Sequence, residues 1–84
     1  MALIREFALD TLEKVYHAAR DKGNKVNSER LFGDLQAQTD DGMVSVVKTY
    51  LFGKNWLDRV NEFEVSITAE GIDAVEGRHQ DPTK

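Results

Sequence analysis

Tyr50-Leu51-Phe52-Gly53-Lys54-Asn55-Trp56-Leu57 is the stretch on which the fold turns, because two different periodicities meet in it. Upstream, Val44, Val47, Tyr50 and Leu51 recur at the three-and-four spacing that lays one stripe along a helix. Downstream, Phe63, Val65 and Ile67 alternate with Glu64 and Ser66, the mark of a strand with one buried side. Gly53-Lys54-Asn55 breaks the helix, and Asn55 suits a left-handed turn out of it. Trp56 and Leu57 then anchor a returning strand on the core, Val60 continues it, and polar Asn61-Glu62 marks a tight turn. Residues 56–67 therefore read as a hairpin of two short strands.

Working back toward the N-terminus, Gln36 to Gly42 is polar and rich in capping residues, so the third helix is expected from about Asp41 to Phe52. Tandem Val46 and Val47 suit a strand, but the caps and the length decide for helix. Asp40 and Asp41 favour the positive end of that helix and read as caps. Asn27 and Ser28 follow Val26 as N-cap residues, and Leu31, Phe32 and Leu35 give a short apolar face, predicting a second helix over Ser28 to Gln36. Gly33 inside it reads as a close-packing position. The first helix spans about Leu3 to Asp21, with Ile4, Phe7, Ala8, Leu12, Val15, Tyr16 and Ala19 on one stripe and Lys22-Gly23-Asn24 as its terminator. On the other side of the hairpin, Thr68 caps a last helix, Ala69 to Gly77, with Ile72 and Val75 facing inward. Gly71 lets that helix lie close to the sheet or to the first helix. Residues 78–84, with Pro82, read as a disordered polar tail. The fold class is mainly α with a small β-hairpin, in one domain over residues 1–77, without repeats or a linker.

At 84 residues the core is small, so docking onto a partner or a second copy would add usefully to its stability. The absence of cysteine removes disulfides, thiolate metal sites and cysteine nucleophiles, and fits a reducing compartment. No apolar run approaches the roughly 20 residues of a spanning helix. Arg5 and Glu6 come too early for a signal peptide. The expectation is a cytoplasmic protein without membrane contact. Eleven basic against fifteen acidic residues give a net charge of −4, which argues against strong nonspecific binding to DNA. A locally basic face is still compatible with that total, because a phosphate responds to charges within a Debye length of about 10 Å.

The order helix, helix, helix, hairpin and short helix resembles the winged helix-turn-helix family. Two segments carry the resemblance, Tyr50 to Leu57 and Val65-Ser66-Ile67-Thr68-Ala69-Glu70-Gly71-Ile72-Asp73-Ala74-Val75-Glu76. With Val26 to Leu35 the likeness spans about Leu3 to Gly77. It implies a two-stranded wing behind a recognition helix. This wing is short and lacks the run of Lys and Arg that many DNA-binding wings carry.

The resemblance implies DNA binding, with the third helix in the major groove and the second helix and wing near phosphates. The candidate DNA-contacting residues are Ser45, Lys48 and Thr49 on the third helix, Gln36 and Gln38 ahead of it, and Lys54, Arg59 and Asn61 around the wing. The same residues would equally serve as ordinary solubilising side chains among Asp58, Glu62 and Glu64. Leu3, Phe7 and Leu9 suggest apolar area beyond what one core needs. A homodimer through the first and last helices would use it, unless Leu9 lies under the last helix. The function expected is that of a small DNA-binding regulator or a phage or plasmid accessory factor. The alternative is an acidic module that docks another protein and binds no DNA. His17 and His79 have no ligand set around them, so no metal and no cofactor are expected. No nucleophile, base and acid arrangement is visible, and no enzyme activity is expected.

Overall fold

The computed structural model describes residues 4–79, which form four helices and one three-stranded antiparallel sheet. Helix α1 (Ile4–Lys22) ends where Gly23 adopts a φ of 107°, a conformation open to glycine at little cost. Asn24 then does more than terminate. Its side-chain amide donates to the Ile67 carbonyl at 3.0 Å and accepts from the Ile67 N–H at 2.9 Å. A side chain thereby extends a backbone ladder by one rung, because Val26 and Asn27 form a short strand β1 that pairs with Val65 and Glu64. The hairpin is accordingly part of a three-stranded sheet in the order β1-β3-β2, with β2 (Leu57–Arg59) and β3 (Glu64–Ile67) in register Leu57↔Ile67 and Arg59↔Val65. A two-residue strand has no alternation to read, and Val26 looked like an apolar residue ahead of a cap.

Asn27 caps α2 (Ser28–Gln38), accepting from the Arg30 N–H at 2.9 Å. The helix continues two residues past Gln36, and Thr39 closes it with its hydroxyl on the Leu35 carbonyl. Asp40 caps α3 (Asp41–Gly53) through the Met43 N–H at 2.8 Å, as its position at the helix dipole's positive end requires. α3 ends at Gly53 with Lys54 as its C-cap, and the chain turns away at Asn55, whose φ of 60° is the left-handed value expected of it.

α1 lies at the centre, in contact with α2, α3, α4 (Ala69–His79) and the sheet. Its Ala8, Leu9, Leu12 and Val15 meet Leu31, Phe32 and Leu35 of α2, Val47 and Leu51 of α3, Val75 of α4 and the inner sheet residues Leu57, Val65 and Ile67 in one core. α4 is pinned to α1 by polar contacts as well. Arg78 pairs with Asp10 at 2.7 Å and Glu13 at 3.6 Å, and the Tyr16 hydroxyl donates to Glu76 at 2.8 Å. That bond to a carboxylate pushes the Tyr16 ionisation above its ordinary value, so the contact is present at neutral pH and is lost as pH rises through the phenol's ionisation. Arg78 and His79 thus belong to α4 rather than to a tail; residues 80–84 lie outside the described residues.

Two further expectations need correction. Phe63 does not continue the buried side of β3 but is 64 % exposed, because Asn61 draws the N–H groups of both Phe63 and Glu64 to its own amide oxygen and the strand begins only at Glu64. Gly33 is not a packing position, since a Cβ there would meet nothing within 4 Å. Gly71 is one, for its Cβ would lie 2.3 Å from the Trp56 carbonyl oxygen. Gly71→Ala is therefore expected to lose about 3 kcal/mol of stability through a backbone clash, and Gly33→Ala to gain about 0.5–1 kcal/mol from helix propensity. Urea denaturation of the two variants checks both, and a neutral Gly71→Ala would contradict the close approach.

Candidate functional site

The outer side of α3 follows from its inner one. Val47 and Leu51 are fully buried, so the helical repeat turns Ser45, Lys48 and Thr49 outward, and all three are exposed. The Thr49 hydroxyl donates to the Ser45 backbone carbonyl at 3.1 Å. Lys48 leans toward α2, its ammonium 4.9 Å from the Phe32 ring centroid. Between α2 and α3 runs a groove of about 210 Å³ that brings Lys48 and Gln36 together over Phe32, Gly33 and Val44, with Ser28 and Glu29 at its α2 side. Gln36 donates to Asp41, so one of the two acidic residues at the start of α3 is engaged by the turn itself. Gln38 is exposed at the last position of α2.

Arg59 reaches the same face from the sheet. It is exposed at the turn end of β2, and its guanidinium lies 5.7 Å from the centroid of the Phe52 ring. Phe52 is one turn beyond Lys48 on α3, and residues four apart are neighbours on a helix surface. Phe32, Lys48, Phe52 and Arg59 therefore form one interleaved run of rings and cations across α2, α3 and the hairpin. Neither Lys48 nor Arg59 makes an ion pair among the described residues.

Lys54 and Asn61 are placed differently. Lys54 caps α3, and its ammonium sits 5.7 Å above Tyr50. Tyr50 stacks edge-on against Trp56 and accepts a hydrogen bond from Arg5 of α1, whose guanidinium lies 5.6 Å over the Trp56 ring. Arg5, Tyr50, Lys54 and Trp56 are thus a second cluster, on the α1 side of α3. Asn61 is consumed by the turn: its oxygen accepts from the Phe63 and Glu64 N–H groups at 2.8 and 3.0 Å, and its nitrogen donates to the Glu64 carboxylate at 2.9 Å.

Several residues of this face were not singled out from sequence. Val46 is 43 % exposed on α3, and Val60 and Phe63 stand out at the hairpin tip. Phe32 and Phe52 serve as platforms for cations. The Lys48–Phe52 spacing was legible, whereas the pairings Lys48–Phe32 and Arg59–Phe52 join residues distant in sequence.

Searches against protein-family models, curated proteins and solved structures gave no match. No described helix is long and apolar enough to cross a membrane. Because Asn61 organises the hairpin tip, Asn61→Ala should cost about 1–2 kcal/mol of stability from lost hydrogen bonds, measured by thermal or urea unfolding. An unchanged midpoint would return Asn61 to the surface residues available for contact.

Proposed function

We propose that this chain is a small winged-helix DNA-binding protein, acting as a regulator or as an accessory factor. In this reading α2 and α3 are the helix-turn-helix pair, α3 is the recognition helix, and β2 with β3 forms the wing. The observation that carries the reading is the run of Lys48 and Arg59 over Phe32 and Phe52. Two cations stand on the outward side of α3 and the hairpin, free of carboxylate partners among the described residues. Laying an exposed cation on a ring is worth about 0.5–1 kcal/mol and leaves the charge in place for a phosphate. Ser45 and Thr49 are exposed on the same helix as Lys48, where hydroxyls reach base edges if α3 enters the major groove. Val46 adds an apolar contact of the kind a thymine methyl accepts. Glu29 and Asp41 oppose phosphate approach at the α2 end of the groove, so the affinity is expected to rest on the Lys48–Arg59 side.

A second reading has one observation of its own. Phe63, with Val60 beside it in the turn, gives the hairpin an apolar tip in place of the basic run that would grip DNA, and this favours contact with another polypeptide. Dimerisation through α1 and α4 belongs to the proposal in weaker form. Leu9 is buried and polar residues of these helices bind each other within one chain, which leaves Ile4 exposed and Phe7, Ala18 and Ala19 half-buried on α1; Leu3 lies outside the described residues.

Fluorescence anisotropy of a labelled duplex at about 50 and 200 mM salt tests the reading, since phosphate contacts make affinity fall with salt. Lys48→Glu with Arg59→Glu is expected to weaken binding at least about tenfold and to lower the log–log salt slope by about 2, roughly one per phosphate contact. Unchanged affinity and slope would overturn the assignment. No binding by the unaltered chain at the lower salt would favour a protein partner. Light scattering on the same sample reports whether two copies bind together.

A further inference from the structure

A second basic surface lies on the other flank of α2, away from α3. Lys14 and Lys22 of α1, Lys25 of the connecting turn and Arg30 of α2 converge on a concave site of about 310 Å³, with Asp34 as its one carboxylate. The floor is apolar, made by Ala18, Val26 and Leu31. We infer that this cavity binds a small organic phosphate carrying several negative charges and a ring, the chemistry of a nucleoside di- or triphosphate. The inference stands independently of the DNA reading, which concerns the opposite flank of α2.

Three features argue for it. Four cations from three consecutive segments face one carboxylate in a protein whose net charge is −4, so the local balance runs against the overall one. None of the four is held in an ion pair or over a ring among the described residues, although Asp34 shares the cavity and follows Arg30 by four positions on α2. A cation in the last turn of α1, such as Lys22, is explained by the helix dipole; Lys14, Lys25 and Arg30 are not. The volume lies at the lower end of the range of about 300–1,000 Å³ for small-ligand pockets, and the pairing of an apolar floor with charged walls is the composition of such sites. A single carboxylate on a ligand would neutralise only one of these cations, whereas a di- or triphosphate matches the surplus of about three.

The test is calorimetric titration of the full chain, at about 50 mM salt where surface electrostatics are little screened, with ATP and with inorganic pyrophosphate as probes. The expected result is one-to-one binding of ATP, tighter than pyrophosphate because the floor adds apolar contact. Lys25→Ala with Arg30→Ala should weaken ATP binding at least about tenfold, and Lys48→Ala with Arg59→Ala, which removes the same charge from the other flank, should leave it within about twofold. Matching unfolding curves for the two double variants show that both remain folded. Equal loss in the two variants would mean diffuse attraction of anions and would overturn the site. So would the absence of binding by either probe. A Lys25/Arg30 variant that loses duplex affinity while the unaltered chain ignores ATP would assign these cations to the DNA backbone instead, and would likewise overturn it.

Discussion

The geometry of the α3 face depends on one backbone junction, Asn55-Trp56. Asn55 takes the left-handed conformation that turns α3 into β2, and the Trp56 N–H closes the end of the helix on the Leu51 carbonyl at 3.0 Å. Thr68 locks the same junction from the far side. Its N–H donates to the Trp56 carbonyl and its hydroxyl to the Asn55 carbonyl, while the hydroxyl oxygen also accepts from the Gly71 N–H at the start of α4. Because Gly71 lies directly against the Trp56 carbonyl, α4, β2 and the end of α3 cannot shift independently. The direction in which β2 leaves α3 fixes where Arg59 falls, and so whether its guanidinium reaches Phe52. A surface that looks like an assortment of side chains is thus referred back to two residues of buried or half-bound backbone.

The cations of the α3 side are ordered by rings rather than by carboxylates. Arg5, Lys48, Lys54 and Arg59 each lie within 6 Å of an aromatic ring centroid. An exposed ion pair would contribute a similar fraction of a kcal/mol to folding but would cancel the charge locally. A ring fixes the side chain and leaves the field intact. The contrast with Arg78 is informative: there the partners are Asp10 and Glu13, the contact joins α1 to α4, and the arginine acts as a fastener between helices.

The four helices were legible because each shows a stripe at helical spacing between identifiable caps, and because Asn55, Gly71, Thr68 and Asp40 state their backbone roles through residue type. The third strand was not, since two residues carry no period. Phe63 was misplaced for a related reason: alternation extends smoothly through it, and only the amide of Asn61, a local side-chain contact, decides that the ladder stops at Glu64. Of the candidate site, the outward placement of Ser45, Lys48 and Thr49 followed from helical geometry, while the separation of Lys54 from Lys48 did not, because it depends on Tyr50 being shared with Arg5 of α1. The cavity of Lys14, Lys22, Lys25 and Arg30 was invisible for the same reason, being made by the angle between α1 and α2.

Net charge does not describe how charge is distributed, and the structure shows why. Many of the carboxylates have work inside the fold: Asp40 caps α3, Asp41 receives Gln36, Asp58 holds the Arg59 N–H, Glu64 receives Asn61, Glu70 receives Asn55 and Glu76 receives Tyr16. Their positions are dictated by helix ends, turns and the α1–α4 contact, and they are spread around the molecule accordingly. Lys14, Lys22, Lys25, Arg30, Lys48 and Arg59 meet no such demand from carboxylates among the described residues; the first four gather on one flank of α2, Lys48 stands on the other, and Arg59 lies over Phe52 of α3. An anion approaching within a Debye length of either flank meets a local surplus of positive charge, whatever the sum over the chain. The excess of four negative charges is therefore a property of the whole chain and not of either basic surface. α2 holds the two local surpluses apart, with Lys14, Lys22, Lys25 and Arg30 on one flank and Lys48 on the other.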